Sequence, residues 1–203
     1  MTPYEYIKKE IICGNLLPGT IFEEKIVQEK LNVSRTPVRE AVLRLSNEGY
    51  LTIIPRKGTI VSNISINDIK NIYEYRMIIE PEIVKKAIKT INHDFLLEQK
   101  KLINEKLSDD NCLLLDDYDK NFHIGIAKTL NNNYIEKEIS RVLDLSERIR
   151  FLSSNKSHER YIDSLYEHLN IIEAMLNKNE DSAYEAMLKH LYNTLEGFKI
   201  LWN

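Results

Sequence analysis

Ser34-Arg35-Thr36-Pro37-Val38-Arg39-Glu40-Ala41-Val42-Leu43-Arg44-Leu45 places Val38, Ala41, Val42 and Leu45 on one face of a helix. Ser34 is a natural N-cap, and Pro37 is tolerated in the first turn because the amide it lacks would be unpaired there. Upstream, Leu31-Asn32-Val33 reads as a tight polar turn that closes a helix running from about Glu23. Before that, Tyr4 to Cys13 carries Ile7, Ile11 and Ile12 at helical spacing and stops at Gly14, with a Pro18-Gly19 turn beyond. Downstream of Gly49 the period changes. Tyr50-Leu51-Thr52-Ile53-Ile54 and Thr59-Ile60-Val61 are β-branched runs flanking Pro55-Arg56-Lys57-Gly58, which predicts a hairpin with a basic tip. Helix, helix, turn, helix and basic hairpin is the order of a winged helix-turn-helix. In that arrangement the third helix enters the major groove and the wing lies on the backbone or in the minor groove.

The remainder of the 203 residues has another character. From Asn63 onward no strand pattern, repeat or low-complexity tract interrupts six helical segments, expected near 66–91, 94–108, 111–130, 134–153, 156–178 and 181–201. The breaks between them are polar, and Asn133 with Glu136 three residues on is a plausible capping pair. The predicted fold is therefore mainly α: a winged helix-turn-helix over 1–62 and an antiparallel helical bundle over 63–203. The connector Ser62-Asn63-Ile64-Ser65 contains neither Gly nor Pro.

Composition narrows the class. Hydrophobic residues make up 43% and charged residues 29%, too apolar for a disordered chain. The net charge of -3 conceals an asymmetry: residues 1–62 hold nine Lys/Arg against seven Glu, and the rest is acidic. Met1-Thr2-Pro3-Tyr4-Glu5 has neither a basic nor an apolar stretch, so no secretory signal is expected, and no apolar run approaches the ~20 residues of a membrane helix. Cys13 and Cys112 match no ligand or redox spacing, which fits a reduced, cytoplasmic setting.

Five histidines divide by setting. His93 and His158 sit among polar neighbours and are expected on the surface. The other three lie on apolar seams: His123 one turn after Asp119 with Ile126 and Leu130 continuing the face, His168 with Leu165, Leu169 and Ile172, and His190 with Met187, Leu191 and Thr194. Ionisable groups on buried seams destabilise a fold unless paired or coordinating a metal. Both solutions fit the spacing. As ligands, one carboxylate and three imidazoles suit zinc, nickel, iron or manganese.

Two resemblances sharpen these readings. Ser34 to Ala41, with Leu43-Arg44-Leu45, Glu48-Gly49-Tyr50-Leu51, the Leu17-Pro18-Gly19 turn and Arg56-Lys57-Gly58-Thr59, resembles the GntR family of bacterial transcription regulators over residues 3–62. The resemblance implies that Arg35 and Arg39 reach guanines, that Ser34 and Thr36 touch phosphates or base edges, and that Lys25 with Arg56, Lys57 and Gly58 holds the backbone. Asp119-Lys120-Asn121-Phe122-His123, Glu167-His168 with Ile171-Ile172, and Met187-Leu188-Lys189-His190-Leu191 are similar to the FCD ligand-binding domain of the FadR-type branch, over 65–200. Arg76 and Glu80 in Tyr75-Arg76-Met77-Ile78-Ile79-Glu80-Pro81 match its first helix. Six helices place the chain nearest the shorter, VanR-like subgroup.

The resemblance implies one divalent metal per chain, zinc foremost, on Asp119, His123, His168 and His190. A small organic acid would take the open coordination positions, aided by an arginine, for which Arg76, Arg148 and Arg150 are candidates. Arg76 can equally pair with Glu80 as an i,i+4 partner. The expectation is a homodimeric regulator on palindromic operator DNA, with no membrane partner and no enzymatic activity. A metal-dependent hydrolase or oxygenase fused to a DNA reader is the alternative, since the same ligand set serves such enzymes. It lacks a His-Glu-x-x-His or nucleophile motif here. A DNA architectural protein with a purely structural bundle is a third class.

Overall fold

The computed structural model describes residues 1–108, 118–152 and 158–199. Cys112, the breaks expected at 109–111 and 153–155, and the outer ends of the segments predicted at 111–130, 134–153, 156–178 and 181–201 lie outside the described residues. The chain forms two compact units, Met1–Ser65 and Ile66–Asn203.

In the first unit, α1 (Pro3–Ile12), α2 (Glu24–Leu31) and α3 (Arg35–Asn47) precede the hairpin β2 (Leu51–Ile54) and β3 (Gly58–Val61). Thr2 caps α1 through a reciprocal box with Glu5. Asn32 closes α2 in the left-handed conformation, φ +52°, which Asn tolerates better than most non-Gly residues. Ile7, Ile11, Val38, Leu45, Tyr50 and Val61 meet in a core with no solvent exposure. One strand was not anticipated. Ile21–Phe22 forms β1, which pairs antiparallel with β3 in a three-stranded sheet of order β1-β3-β2.

The second unit contains α4 (Ile66–Ala87), α5 (His93–Leu107), α6 (Tyr118–Lys128), α7 (Asn133–Leu152), α8 (His158–Leu176) and α9 (Glu180–Lys199). Helix α4 packs on α9, α8 on α9, α5 on α8, and α6 on α7 and α4. Their apolar faces enclose Val84, Ile103, Phe122, Ile171, Ile172 and Leu191. Two expectations are corrected. Helix α4 ends at Ala87 instead of reaching 91. The cap of α7 is Asn132, whose Oδ1 accepts from the amides of Tyr134 and Ile135, not the Asn133–Glu136 pair. Gly125 matters for packing: a Cβ there would lie 2.5 Å from the tip of the Phe95 ring, so the bare position lets that ring reach α6 from α5. Among the described residues no helix is long and apolar enough to cross a membrane.

Candidate metal centre and nucleic-acid interface

The residues singled out for DNA contact are all exposed in the first unit. Ser34 is the N-cap of α3 but makes no side-chain cap hydrogen bond, a correction to its expected capping role that leaves its hydroxyl exposed. Arg35, Thr36 and Arg39 follow on the first turns of α3, all exposed. Both arginines meet one carboxylate, with Glu24 3.3 Å from Arg35 Nε and 3.9 Å from Arg39 Nε. Sequence reasoning missed that partner. Lys25 is exposed and 3.6 Å from Glu29. At the wing tip Arg56 is left-handed, φ +63°, and Gly58 has φ +111°. The Lys57 amide donates to the Ile54 carbonyl at 3.0 Å, so the turn thrusts Arg56 and Lys57 into solvent.

In the second unit, α6 supplies Asp119 and His123, α8 supplies His168, and α9 supplies His190. One ligand atom from each lies within 4.8 Å of the others, and all three imidazoles are buried. Asp119 Oδ1 is 3.8 Å from His123 Nε2 and 3.6 Å from His168 Nε2. The rings of His168 and His190 have centroids 4.5 Å apart. His93 and His158 are exposed, away from this cluster.

A second layer of charged groups surrounds it. The Glu80 carboxylate accepts from Arg76 Nε at 2.5 Å and sits 2.5 Å from His123 Nδ1, off the ideal N–H direction. Glu167 Oε2 faces His190 Nδ1 at 2.8 Å, while Glu167 also accepts both guanidinium nitrogens of Arg160, at 3.0 and 2.6 Å, and Asn193 Nδ2 at 2.7 Å. Arg150 Nη1 is 2.9 Å from Asp119 Oδ2, the other oxygen of that carboxylate. Of the three arginines considered for an effector, Arg150 therefore stands at the cluster and is partly exposed. Arg76 is buried on Glu80, and Arg148 is buried in α7.

The electrostatics follow from this layer. Burial raises the Glu80 and Glu167 carboxyls, but Arg76 beside Glu80, and His190 with Arg160 beside Glu167, outweigh it and bring each down to about 2. Burial likewise raises Asp119, and Arg150 followed by His123 and His168 reverses this to hold it well below the ordinary range. Desolvation first, and then the neighbouring His190, depresses His168 far below an ordinary imidazole. A neutral imidazole and an ionised carboxylate are the protonation states that bind a cation.

Metal occupancy can be tested on the residues themselves. His168 is wholly buried, and neither of its ring nitrogens has a hydrogen-bond partner among the described residues; His123 Nε2 and Nδ1 are likewise without one, although Glu80 lies against Nδ1. Orphaned buried polar atoms are rare because each loses its water without replacement. A cation among the four ligand atoms would satisfy them together, so the residues present fit such a group.

The architecture agrees with solved regulators. The E. coli McbR/YncC structure superposes with a TM-score of 0.81 at 17% identity, covering 99% of this chain and 97% of that one. By sequence, the chain is 28% identical to the HTH-type transcriptional repressor RspR of Escherichia coli K12 over 202 residues, 97% of this chain and 87% of that protein. It is 32% identical to the Nta operon transcriptional regulator of Aminobacter aminovorans over 187 residues, 86% of this chain and 82% of that protein. Fold and sequence together define a DNA-binding transcriptional regulator, not an enzyme. Residues 3–61 match the bacterial regulatory proteins of the gntR family and 71–193 match the FCD domain, so the chain belongs to the gntR family in its FCD-containing form.

Proposed function

We propose that the protein is a cytoplasmic regulator whose operator affinity is set by a small carboxylate bound at a divalent cation in the second unit. Residues 1–62 read DNA, and 63–203 hold the metal, the effector and the dimer contacts. Asp119, His123, His168 and His190 would hold one cation per chain, zinc foremost, with nickel, iron or manganese as further occupants of an oxygen- and nitrogen-donor site. When bound, the cation supplies a Lewis-acidic position for an anionic oxygen. Arg150 orients Asp119 through Oδ2 and, being partly exposed, is the arginine best placed to meet the effector's charge. Arg76 and Arg148 contribute from buried positions, Arg76 through Glu80.

On DNA, Arg35 and Arg39 would pair bidentately with guanines, and Ser34 and Thr36 would contact phosphates or base edges. Lys25, Arg56, Lys57 and the Gly58 backbone would follow the phosphates. A single recognition helix reads one half-site, so a symmetric homodimer on a palindrome is the expected complex. The observation that carries the reading is the wholly buried His168 imidazole, unsatisfied at both nitrogens and surrounded by three more ligand atoms.

The test is operator titration with and without metal and a panel of organic acids, on wild type and His168→Ala. A coupling of ~1–3 kcal/mol changes operator affinity roughly 5–150-fold, and it is reciprocal. An effector response that persists without metal and without His168 removes the metal from the mechanism.

A further inference from the structure

The four ligand residues are not held alike. Three have a charged partner behind them: Asp119 has Arg150, His123 has Glu80, and His190 has Glu167. Behind each glutamate stands an arginine, Arg76 for Glu80 and Arg160 for Glu167. Glu80 and Arg76 lie on α4, which contributes none of the four ligands, whereas Glu167 and Arg160 lie on α8 beside His168. A carboxylate on Nδ1 fixes the ring's tautomer and turns its Nε2 lone pair toward the centre. The arginine offsets the carboxylate's charge, so orientation is gained without adding a net negative charge next to the imidazole. Glu80 touches His123 Nδ1 at 2.5 Å outside hydrogen-bond geometry, whereas no carboxylate stands behind His168 Nδ1 among the described residues. His168 is held by ring packing, 4.5 Å from Phe122 and 5.8 Å from Tyr118 between centroids.

We propose that Glu80 and Glu167 are positioning residues that lock His123 and His190 as Nε2 ligands, leaving His168 as the one exchangeable arm of the centre. This rests on the metal reading above and adds an order of ligand strength to it. An exchangeable histidine lets an incoming anionic oxygen take a coordination position without dismantling the other three ligands. Packing restrains His168 within the cluster but gives its ring no fixed hydrogen bond to break on leaving.

The experiment uses the full chain and Co(II) alone as probe, with affinity from competition against a chromophoric chelator and the ligand field from the visible spectrum. Circular dichroism checks that each variant is folded. Losing an outer partner of a metal-bound histidine typically lowers affinity ~10–100-fold. Glu167→Gln and Glu80→Gln should each show a loss of that size with an altered Co(II) spectrum, and Glu167→Ala should lose more than Glu167→Gln, whose amide oxygen still accepts from Nδ1. Glu167 is partly exposed, so its variants test the proposal even where Glu80→Gln does not fold. His168→Ala should lose less affinity than His123→Ala or His190→Ala. Wild-type affinity and spectrum in the glutamine variants, or a loss in His168→Ala equal to the other two, would overturn the proposal while leaving the metal reading intact. Failure of the wild type to take up Co(II) would overturn both.

Discussion

Glu24 Oε2 meets Arg35 Nε at 3.3 Å, so the first arginine of α3 already has an intramolecular carboxylate partner in the free protein. Arg39 shares that carboxylate at 3.9 Å. Both pairs are substantially exposed on the arginine side and contribute little to stability. On the proposed reading their effect would lie in orientation, since pairing with a guanine would mean exchanging one acceptor for another.

Arg35→Ala and Arg39→Ala should each weaken operator binding by ~1–3 kcal/mol and relax specificity at one base position. Glu24→Gln should tighten binding to non-operator DNA, because a negative charge near the phosphates is lost. Fluorescence anisotropy against a set of operator variants distinguishes these outcomes. Operator binding by both arginine variants at wild-type strength would show that α3 is not the reading helix.

Lys57→Ala at the wing tip should weaken all sequences alike and reduce the slope of log affinity against log salt by about 1, as expected for one lost phosphate contact. A salt titration on operator and random DNA measures it.

A chelator should lower the melting temperature of the wild type, since a ligand bound only by the native state stabilises it. His158→Ala and His93→Ala should keep both metal content and that shift, because both residues are exposed. His168→Ala should remain a folded DNA-binding protein with no effector response. Elemental analysis showing equal metal loss from His158→Ala and His168→Ala would contradict the ligand assignment.

Acid should reveal the second layer. Glu80 and Glu167 are brought down to about 2 in the folded chain from an ordinary 4.5. A depressed folded value means the stabilisation is present above 4.5 and is lost as pH falls toward 2. In chelator-treated protein, the stability gap between wild type and Glu80→Gln should therefore be widest at neutral pH and should narrow below 4.5. Denaturant melts across that range measure it, and a constant gap would place the glutamate's contribution in packing alone.

Gly125→Ala should destabilise the second unit by ~1–3 kcal/mol through overpacking against Phe95. Since Gly125 follows His123 by two residues on α6, metal affinity should fall with it, which calorimetry and chelator competition can separate.

Much of this organisation was legible in the residues. The periodicity of α1 to α3 and the β-branched hairpin follow from local rules. The four clustered residues are visible because each sits at helical spacing beside apolar neighbours. The strand Ile21–Phe22 was not legible, because two residues cannot display alternation and their partner lies at Thr59 and Ile60. Among Asn131, Asn132 and Asn133, side-chain chemistry is identical, and only geometry selects Asn132 as the cap of α7. The second layer was hidden for a related reason. Glu167 and His190 stand 23 residues apart on different helices, and no spacing rule joins them. Arg160 and Glu167, two helical turns apart on α8, left a trace that could have been followed.

The short strand β1 has a mechanical consequence. It is bonded to β3 of the wing, and only Glu23 separates it from the first residue of α2, Glu24. The wing tip and the carboxylate that restrains Arg35 and Arg39 are thus geared to each other through one dipeptide. A displacement of the wing on a DNA backbone would therefore be passed through β1 to the start of α2, where Glu24 meets Arg35 and Arg39. Phe22, the buried residue of β1, anchors that strand to the core of the first unit, so groove contact and arginine release would be coupled through it.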